Sequence, residues 1–173
     1  MNKRNYPTDK FNTLLQSGET VLVTTRNGDR NNIMAVAWQT PLDFKPALTL
    51  CVINSDSLTY ENLLETGECV INIPTGELAA QTLGCGSSTG RETDKFRKFG
   101  LTPVRGETVK APLIDECYAN LECRLHDSSM VKKYDLFILE VLKVWIDESV
   151  KVPRTLHHIS GDEFFVPGEK IHG

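Results

Sequence analysis

Residues 31–41 read Asn-Asn-Ile-Met-Ala-Val-Ala-Trp-Gln-Thr-Pro, passing from polar turn residues through an apolar run to a proline. Side chains of a strand alternate, so Met34, Val36 and Trp38 share one face and Ile33, Ala35 and Ala37 the other. One face is large and the other mostly small. Small side chains on a buried strand let a second backbone or a flat molecule come close. The pattern leaves two readings open: a core strand whose alanines receive a helix, or the wall of a ligand site.

The rest of the chain alternates short strands with short helices. In the lead-in, residues 1–18, Asp9 can cap a helix with Phe11, Leu14 and Leu15 on one stripe, ended by Gly18. Thr20-Val-Leu-Val-Thr-Thr25 is β-branched, and Asn27-Gly28 is a turn signal, so residues 19–39 read as a hairpin. A loop follows Pro41 to Pro46, and residues 47–53 form a third strand. Residues 58–66 form a helix that Asp56 or Ser57 caps and Gly67 closes. A fourth strand, residues 69–73, stops at Pro74; a short helix over 77–83 ends at Gly84. Gly84-Cys-Gly-Ser-Ser-Thr-Gly90 then reads as a flexible, hydroxyl-rich loop. Asp94 caps a helix over 95–99 that Gly100 closes, and residues 101–116 connect. Two further strands, 118–125 and 135–146, flank a hairpin loop, and a tail runs from residue 150. Mostly hairpin-linked strands predict an antiparallel barrel with helical insertions, a mainly β (α+β) class, in one domain over residues 1–173.

Composition narrows the function. A length of 173 residues suits one domain, and 40% hydrophobic with 24% charged residues is ordinary for a soluble protein. No apolar run nears the ~18 residues of a membrane span, and no signal region follows the basic N-terminus, which predicts a cytoplasmic protein without a membrane partner. A net charge of −4 and the lack of a long basic tract argue against nucleic acid as partner. The five cysteines include no C-x-x-C pair, so neither a disulfide framework nor a zinc ribbon is expected. Cys51 and Cys69 read as core; Cys85, between two glycines, is a candidate reactive thiol or a further core residue. His157 and His158 are adjacent and point apart on an extended segment, so no metal site is expected.

The usual catalytic patterns are missing. There is no G-x-S-x-G elbow, no G-x-G-x-x-G after a strand, and no carboxylate pair marked out for acid–base work. No catalytic residue is singled out. The start of the helix at residues 58–66 offers free N–H groups beside Ser55, Ser57 and Thr59, a chemically sound anion site though one that most helices share. Lys95 sits in a first helical turn, where the dipole disfavours a cation; it is either solvated or held by an anion. Chemistry in such a chain would come from a cofactor.

An ordered set of segments resembles the flavin reductase-like family with the FMN-binding split-barrel fold, and its flavoredoxin branch most closely. They are Asn32-Ile-Met-Ala-Val-Ala-Trp-Gln-Thr-Pro41, Phe44-Lys-Pro-Ala-Leu48, Ser57-Leu-Thr-Tyr-Glu-Asn-Leu, Thr66-Gly-Glu-Cys-Val-Ile-Asn-Ile-Pro74, Gly90-Arg-Glu-Thr-Asp-Lys-Phe and Leu136-Phe-Ile-Leu-Glu-Val. The resemblance implies an antiparallel split β-barrel, a homodimer, and noncovalent FMN fed by NAD(P)H or a redox partner protein. It implies cofactor contacts at Asn32, Met34, Ala35, Val36, Ala37, Trp38, Gln39 and Thr40 in the opening strand. It adds Ser57 and Thr59 at the helix start, Lys95, and Phe164 in the tail. Many flavoredoxin-like chains carry a histidine just before the last long strand, where this chain has Tyr134. A neutral phenol lacks the charge of a histidinium, which bears on flavin potential and on the hydride donor. Three function classes follow: an FMN-dependent oxidoreductase, a non-catalytic FMN-binding protein for storage or sensing, and a structural barrel without flavin.

Overall fold

The computed structural model describes residues 18–168, together with Pro7 and Thr8. The expected lead-in helix of Asp9, Phe11, Leu14 and Leu15 lies outside the described residues. Strands β1 (Val21–Asn27) and β2 (Arg30–Val36) form the expected hairpin about Gly28, whose φ of 57° suits glycine. Both faces of β1 are buried: Val21 and Val23 enter the barrel interior, while Leu22 joins a second cluster beneath the helices. That is why its sequence is apolar or β-branched without alternation.

The opening stretch is not one strand. It breaks at Ala37-Trp38, and β3 (Gln39–Phe44) pairs antiparallel with β4 (Ala47–Val52). The segment expected as a loop after Pro41 is therefore an edge strand. Proline is tolerated there because its missing N–H leaves no ladder bond unmade, and the register shifts between Pro41 and Asp43. Then come α1 (Leu58–Thr66), β5 (Glu68–Ile73), a 3₁₀ turn (Gly76–Leu78), α2 (Ala79–Ser87) and α3 (Lys95–Phe99). The short strands β6 (Pro103–Val104) and β7 (Leu113–Ile114) pair with each other. Strand β8 (Ala119–Asp127) leads through α4 (Val131–Tyr134), where a hairpin loop was expected, into β9 (Leu136–Ile146). In the tail, β10 (His157–Ser160) pairs with β11 (Glu163–Phe165).

Seven strands form one antiparallel sheet in the order β2-β1-β5-β8-β9-β4-β3. Its two edges, β2 and β3, are joined by only Ala37 and Trp38. A flat sheet cannot bring its edges together over two residues, so this one coils into a split barrel without closing. Val52 N–H donates to Trp38 O at 2.9 Å and fixes the crossing. Val36, Cys51, Ile53, Cys69, Ile71, Cys123, Phe137 and Leu139 fill the barrel. Leu22, Ile33, Leu78, Cys85, Phe96 and Ile114 fill the layer between β2 and the helices.

A second correction concerns the glycine-rich segment. Helix α2 runs through Gly84, Cys85 and Gly86 to Ser87 rather than stopping at Gly84. These glycines permit contact rather than motion. A Cβ at Gly84 would lie 2.3 Å from the Phe99 ring, and one at Gly86 would lie 3.2 Å from Ala35 Cβ. Cys85 is buried, and burial pushes its thiol up to about 11 against the opposing pull of Lys95, so it is a core residue.

The loop over residues 105–109 is tied to the sheet by a buried carboxylate. Glu122 accepts from Glu107 N–H (3.1 Å), Thr108 N–H (2.6 Å), Thr108 Oγ1 (2.8 Å), Val109 N–H (3.0 Å) and Trp145 Nε1 (2.8 Å). Burial pushes this carboxyl up, but the bonds from Trp145, Thr108 and Glu107 outweigh it and hold the group at about 2.

Two outcomes follow. Gly84→Ala drives a methyl into Phe99 and should cost ~1–3 kcal/mol in urea denaturation. Glu122→Gln leaves buried donors without an acceptor and should cost ~2–4 kcal/mol at neutral pH. An unfolded glutamate titrates near ~4.3, so the Glu122 contribution is whole above that pH and drains as pH falls toward about 2. The gap between wild type and variant should therefore narrow over that interval in a series of denaturation curves.

Candidate functional site

The start of α1 supplies the first wall. Ser57 is the N-cap, and its Oγ accepts from Tyr60 N–H at 3.1 Å. That leaves the N–H groups of Leu58 and Thr59 without an acceptor inside the helix. Gly67 closes α1 with φ of 69°. Thr59, in the first turn, is fully buried, and its Oγ1 accepts from Asn32 Nδ2 at 2.8 Å. Its own proton is thereby free to donate.

Strand β2 supplies the second wall. Asn32 is buried, and its Oδ1 has no hydrogen-bond partner among the described residues. Gly90 passes directly over it: a Cβ there would stand 1.8 Å from Asn32 Oδ1. Arg30 holds that loop by donating from Nη2 to Gly90 O at 2.6 Å, and Arg91 ties it to α1 through Glu61 at 2.7 Å.

Lys95 forms the floor. It is 5% exposed, and its Nζ donates to Ile33 O and Cys85 O, each at 2.7 Å. Cys85 O belongs to the last turn of α2, so the ammonium meets the negative end of that helix dipole. Its own helix start is unfavourable, and the α2 terminus is what holds it in place. Burial lowers its pKa, Cys85 opposes this, and Lys98 adds to it. No carboxylate pairs with it among the described residues, and one of its three N–H donors is unused.

Asn32, Met34, Ser57, Thr59, Lys95 and the hydroxyl-bearing Ser87, Ser88 and Thr89 line one groove of about 310 Å³. Asp56 sits exposed on its rim. A second cavity of about 310 Å³ lies beyond Gly86 and Ser87, which line both; Ala35, Ala37 and Phe164 belong to it. The remaining candidates stand elsewhere. Val36 turns into the barrel core. Trp38 is 50% exposed past the end of β2. Gln39 Nε2 donates to Glu19 O at 3.1 Å, and Thr40 is exposed on β3. Tyr134 is exposed at the end of α4 beneath Lys133.

Sequence reasoning passed over Ser87, Ser88, Thr89, Gly90 and Arg30 as site residues. The signal was the glycine frame around three hydroxyls, which reads equally well as a plain loop. Backbone geometry adds one more element. Ile33 O faces Lys95, away from β1, so by strand alternation the N–H and C=O of Ala35 also face the free edge of β2.

The groove suits a phosphate-bearing ligand with hydroxyls. Free N–H groups at a helix start, a hydroxyl proton and a buried ammonium converge as donors, and Asn32 Oδ1 can accept from a ligand hydroxyl. Among the described residues no group of three or more His, Cys, Asp or Glu side chains is placed to hold a metal, and no helix is long and apolar enough to cross a membrane.

The chain is similar to several known proteins over nearly its whole length. The YddH protein of Escherichia coli K12 is 34% identical over 172 residues, covering 91% of both chains. The solved FMN-binding domain of a flavin reductase-like enzyme from Shewanella baltica is 31% identical with a TM-score of 0.86, covering 97% of this chain and 95% of that one. Flavoredoxin of Desulfovibrio vulgaris (Miyazaki F) is 26% identical with a TM-score of 0.82, covering 100% of this chain and 94% of its own. A model of the flavin reductase-like domain matches residues 16–162, and the chain belongs to that family.

Proposed function

We propose that the chain binds FMN noncovalently in the groove between β2 and α1 and acts as an oxidoreductase that moves electrons through it. The observation that carries this reading is the buried Lys95 ammonium, without a carboxylate partner among the described residues, in the same groove as the free end of α1. A dianionic phosphate supplies the missing charge. Lys95, Thr59 Oγ1 and the N–H groups of Leu58 and Thr59 would hold it, with Ser87, Ser88 and Thr89 as further donors. Asn32 Oδ1 would accept from the sugar-alcohol chain. The free edge of β2 at Ala35 offers a backbone donor and acceptor to the flavin ring's polar edge.

FMN, when bound, supplies the redox chemistry, accepting electrons from one partner and passing them to another. The protein's part is to bind and orient. Apart from exposed Asp56, no carboxylate or imidazole among the described residues lines the groove, so none of them stands ready there as a general base. Direct hydride delivery needs none, which supports NAD(P)H as the source; a redox partner protein is the other donor class. A homodimer belongs to the same proposal. Leu142, Val144 and Ile146 alternate along one exposed face of β9, an apolar surface of the kind a second copy covers.

The purified protein should be yellow, with flavin absorbance near ~450 nm, a property of the oxidised cofactor. Lys95→Met and Thr59→Val should each weaken FMN roughly 10- to 100-fold in a fluorescence-quenching titration, the worth of one charge-assisted hydrogen bond. Unchanged affinity in both would sink the phosphate assignment. Stopped-flow mixing with NADH and with NADPH should bleach the flavin band with one of them. No bleaching by either, with FMN still bound, would favour a partner-fed carrier or a non-catalytic binding protein.

A further inference from the structure

A cleft of about 710 Å³ lies between the β1–β2 hairpin and the loop over residues 103–112, and it shares no lining residue with the groove between β2 and α1. Ligand cavities run from roughly 300 to 1,000 Å³. Arg26 and Asn31, opposite each other in the β1–β2 ladder, contribute to its lining. The Arg26 guanidinium is held in place: Nε donates to Gly28 O at 2.9 Å and Nη2 to Asp29 Oδ1 at 3.2 Å. Asn31 Oδ1 is buried and has no hydrogen-bond partner among the described residues. The facing wall is the loop clamped by Glu122, and the clamp continues where Lys110 N–H donates to Glu68 Oε2 at 2.8 Å. The side chains of Arg105 and Lys110 are exposed on that wall and have no carboxylate partner among the described residues. Glu107 is paired with Lys143, and Arg26 with Asp29. Two cations therefore stand against one carboxylate, Glu68, whose Oε1 accepts no bond among the described residues.

We infer that this cleft is a second ligand site, for a short acidic peptide with a free N-terminus. The peptide's carboxylates meet Arg105 and Lys110. Its ammonium meets Asn31 Oδ1 and Glu68, the two unspent acceptors. A simple anion would use the cations and leave Asn31 Oδ1 bare, and a simple cation would face two like charges. A ligand that carries both signs, with carboxylate in excess, complements all four groups. A single amino acid would fill a small part of the volume; two or three residues suit it, with aliphatic side chains against Pro103 and Val104. The Glu122 clamp acquires a reason, since it fixes the loop that carries both cations. Nothing in this assignment depends on FMN.

Calorimetric titrations of the purified full chain with the tripeptide Glu-Ala-Ala, with its N-acetylated form and with inorganic phosphate test the assignment. Glu-Ala-Ala should bind saturably, and the acetylated peptide and phosphate about tenfold or more weakly. The double variant Arg105→Gln, Lys110→Gln, on an exposed loop, should weaken the free peptide roughly 10- to 100-fold. Glu68→Gln keeps an acceptor for Lys110 N–H, so the loop stays in place; it should weaken the free peptide and leave the acetylated one unchanged. The inference is overturned if Glu-Ala-Ala does not saturate, if the acetylated peptide or phosphate binds as tightly, or if the double variant binds as wild type does. FMN affinity of the double variant should equal that of wild type, because neither residue lines the groove; a parallel fall in both affinities would mark damage to the fold and overturn the assignment. Flavin-free protein that binds the peptide defeats only the cofactor reading, and flavin-loaded protein that ignores the peptide defeats only this one.

Discussion

Two residues, Ala37 and Trp38, carry the chain from one edge of a seven-stranded sheet to the other. Every larger feature depends on that crossing. The sheet must coil, its concave side must be filled with apolar side chains, and β2 must remain an edge. An edge strand normally invites another strand. Here the helices between β5 and β6 come to that edge instead. The groove is the place where α1, the end of α2 and the start of α3 meet it.

Lys95 shows how a costly group is kept in such a place. Burying an ammonium costs several kcal/mol unless it is compensated. Ile33 O and the terminal turn of α2 compensate part of that cost through fixed dipoles. The lysine is therefore a structural brace between strand and helix even without a ligand. The same brace leaves a positive potential at the floor of a groove whose other wall is a helix start. Thr59 and Asn32 repeat the arrangement in neutral form: their mutual bond satisfies the amide N–H and leaves one hydroxyl proton and one amide oxygen unspent.

Local signals made much of this legible. The Asn27-Gly28 hairpin, Ser57 and Gly67 around α1, and Asp94 and Gly100 around α3 act within a few residues, where side-chain chemistry decides the backbone. Thr59 and Lys95 were legible as candidates, and the fold brings them to one groove. What was missed depends on distant partners. Gly84 and Gly86 looked like loop residues because nothing nearby announces Phe99 and Ala35 as their contacts. The strand around Pro41 looked like a loop because an edge position, which excuses proline, is a property of the sheet. The ties of Glu122 to residues 107–109 cross 13 to 15 residues of sequence with no periodicity to mark them.

All five cysteines are buried. Burial pushes Cys51 up to about 12 and also raises Cys117, while a hydrogen bond to Cys123 that favours the neutral thiol, together with burial, raises Cys69. Thiols held in the protonated form and away from solvent are poor nucleophiles toward peroxide. The coiling that builds the barrel hides Cys51, Cys69 and Cys123, and the layer beneath the helices hides Cys85 and Cys117, so packing alone keeps every thiol of this chain away from solvent oxidants.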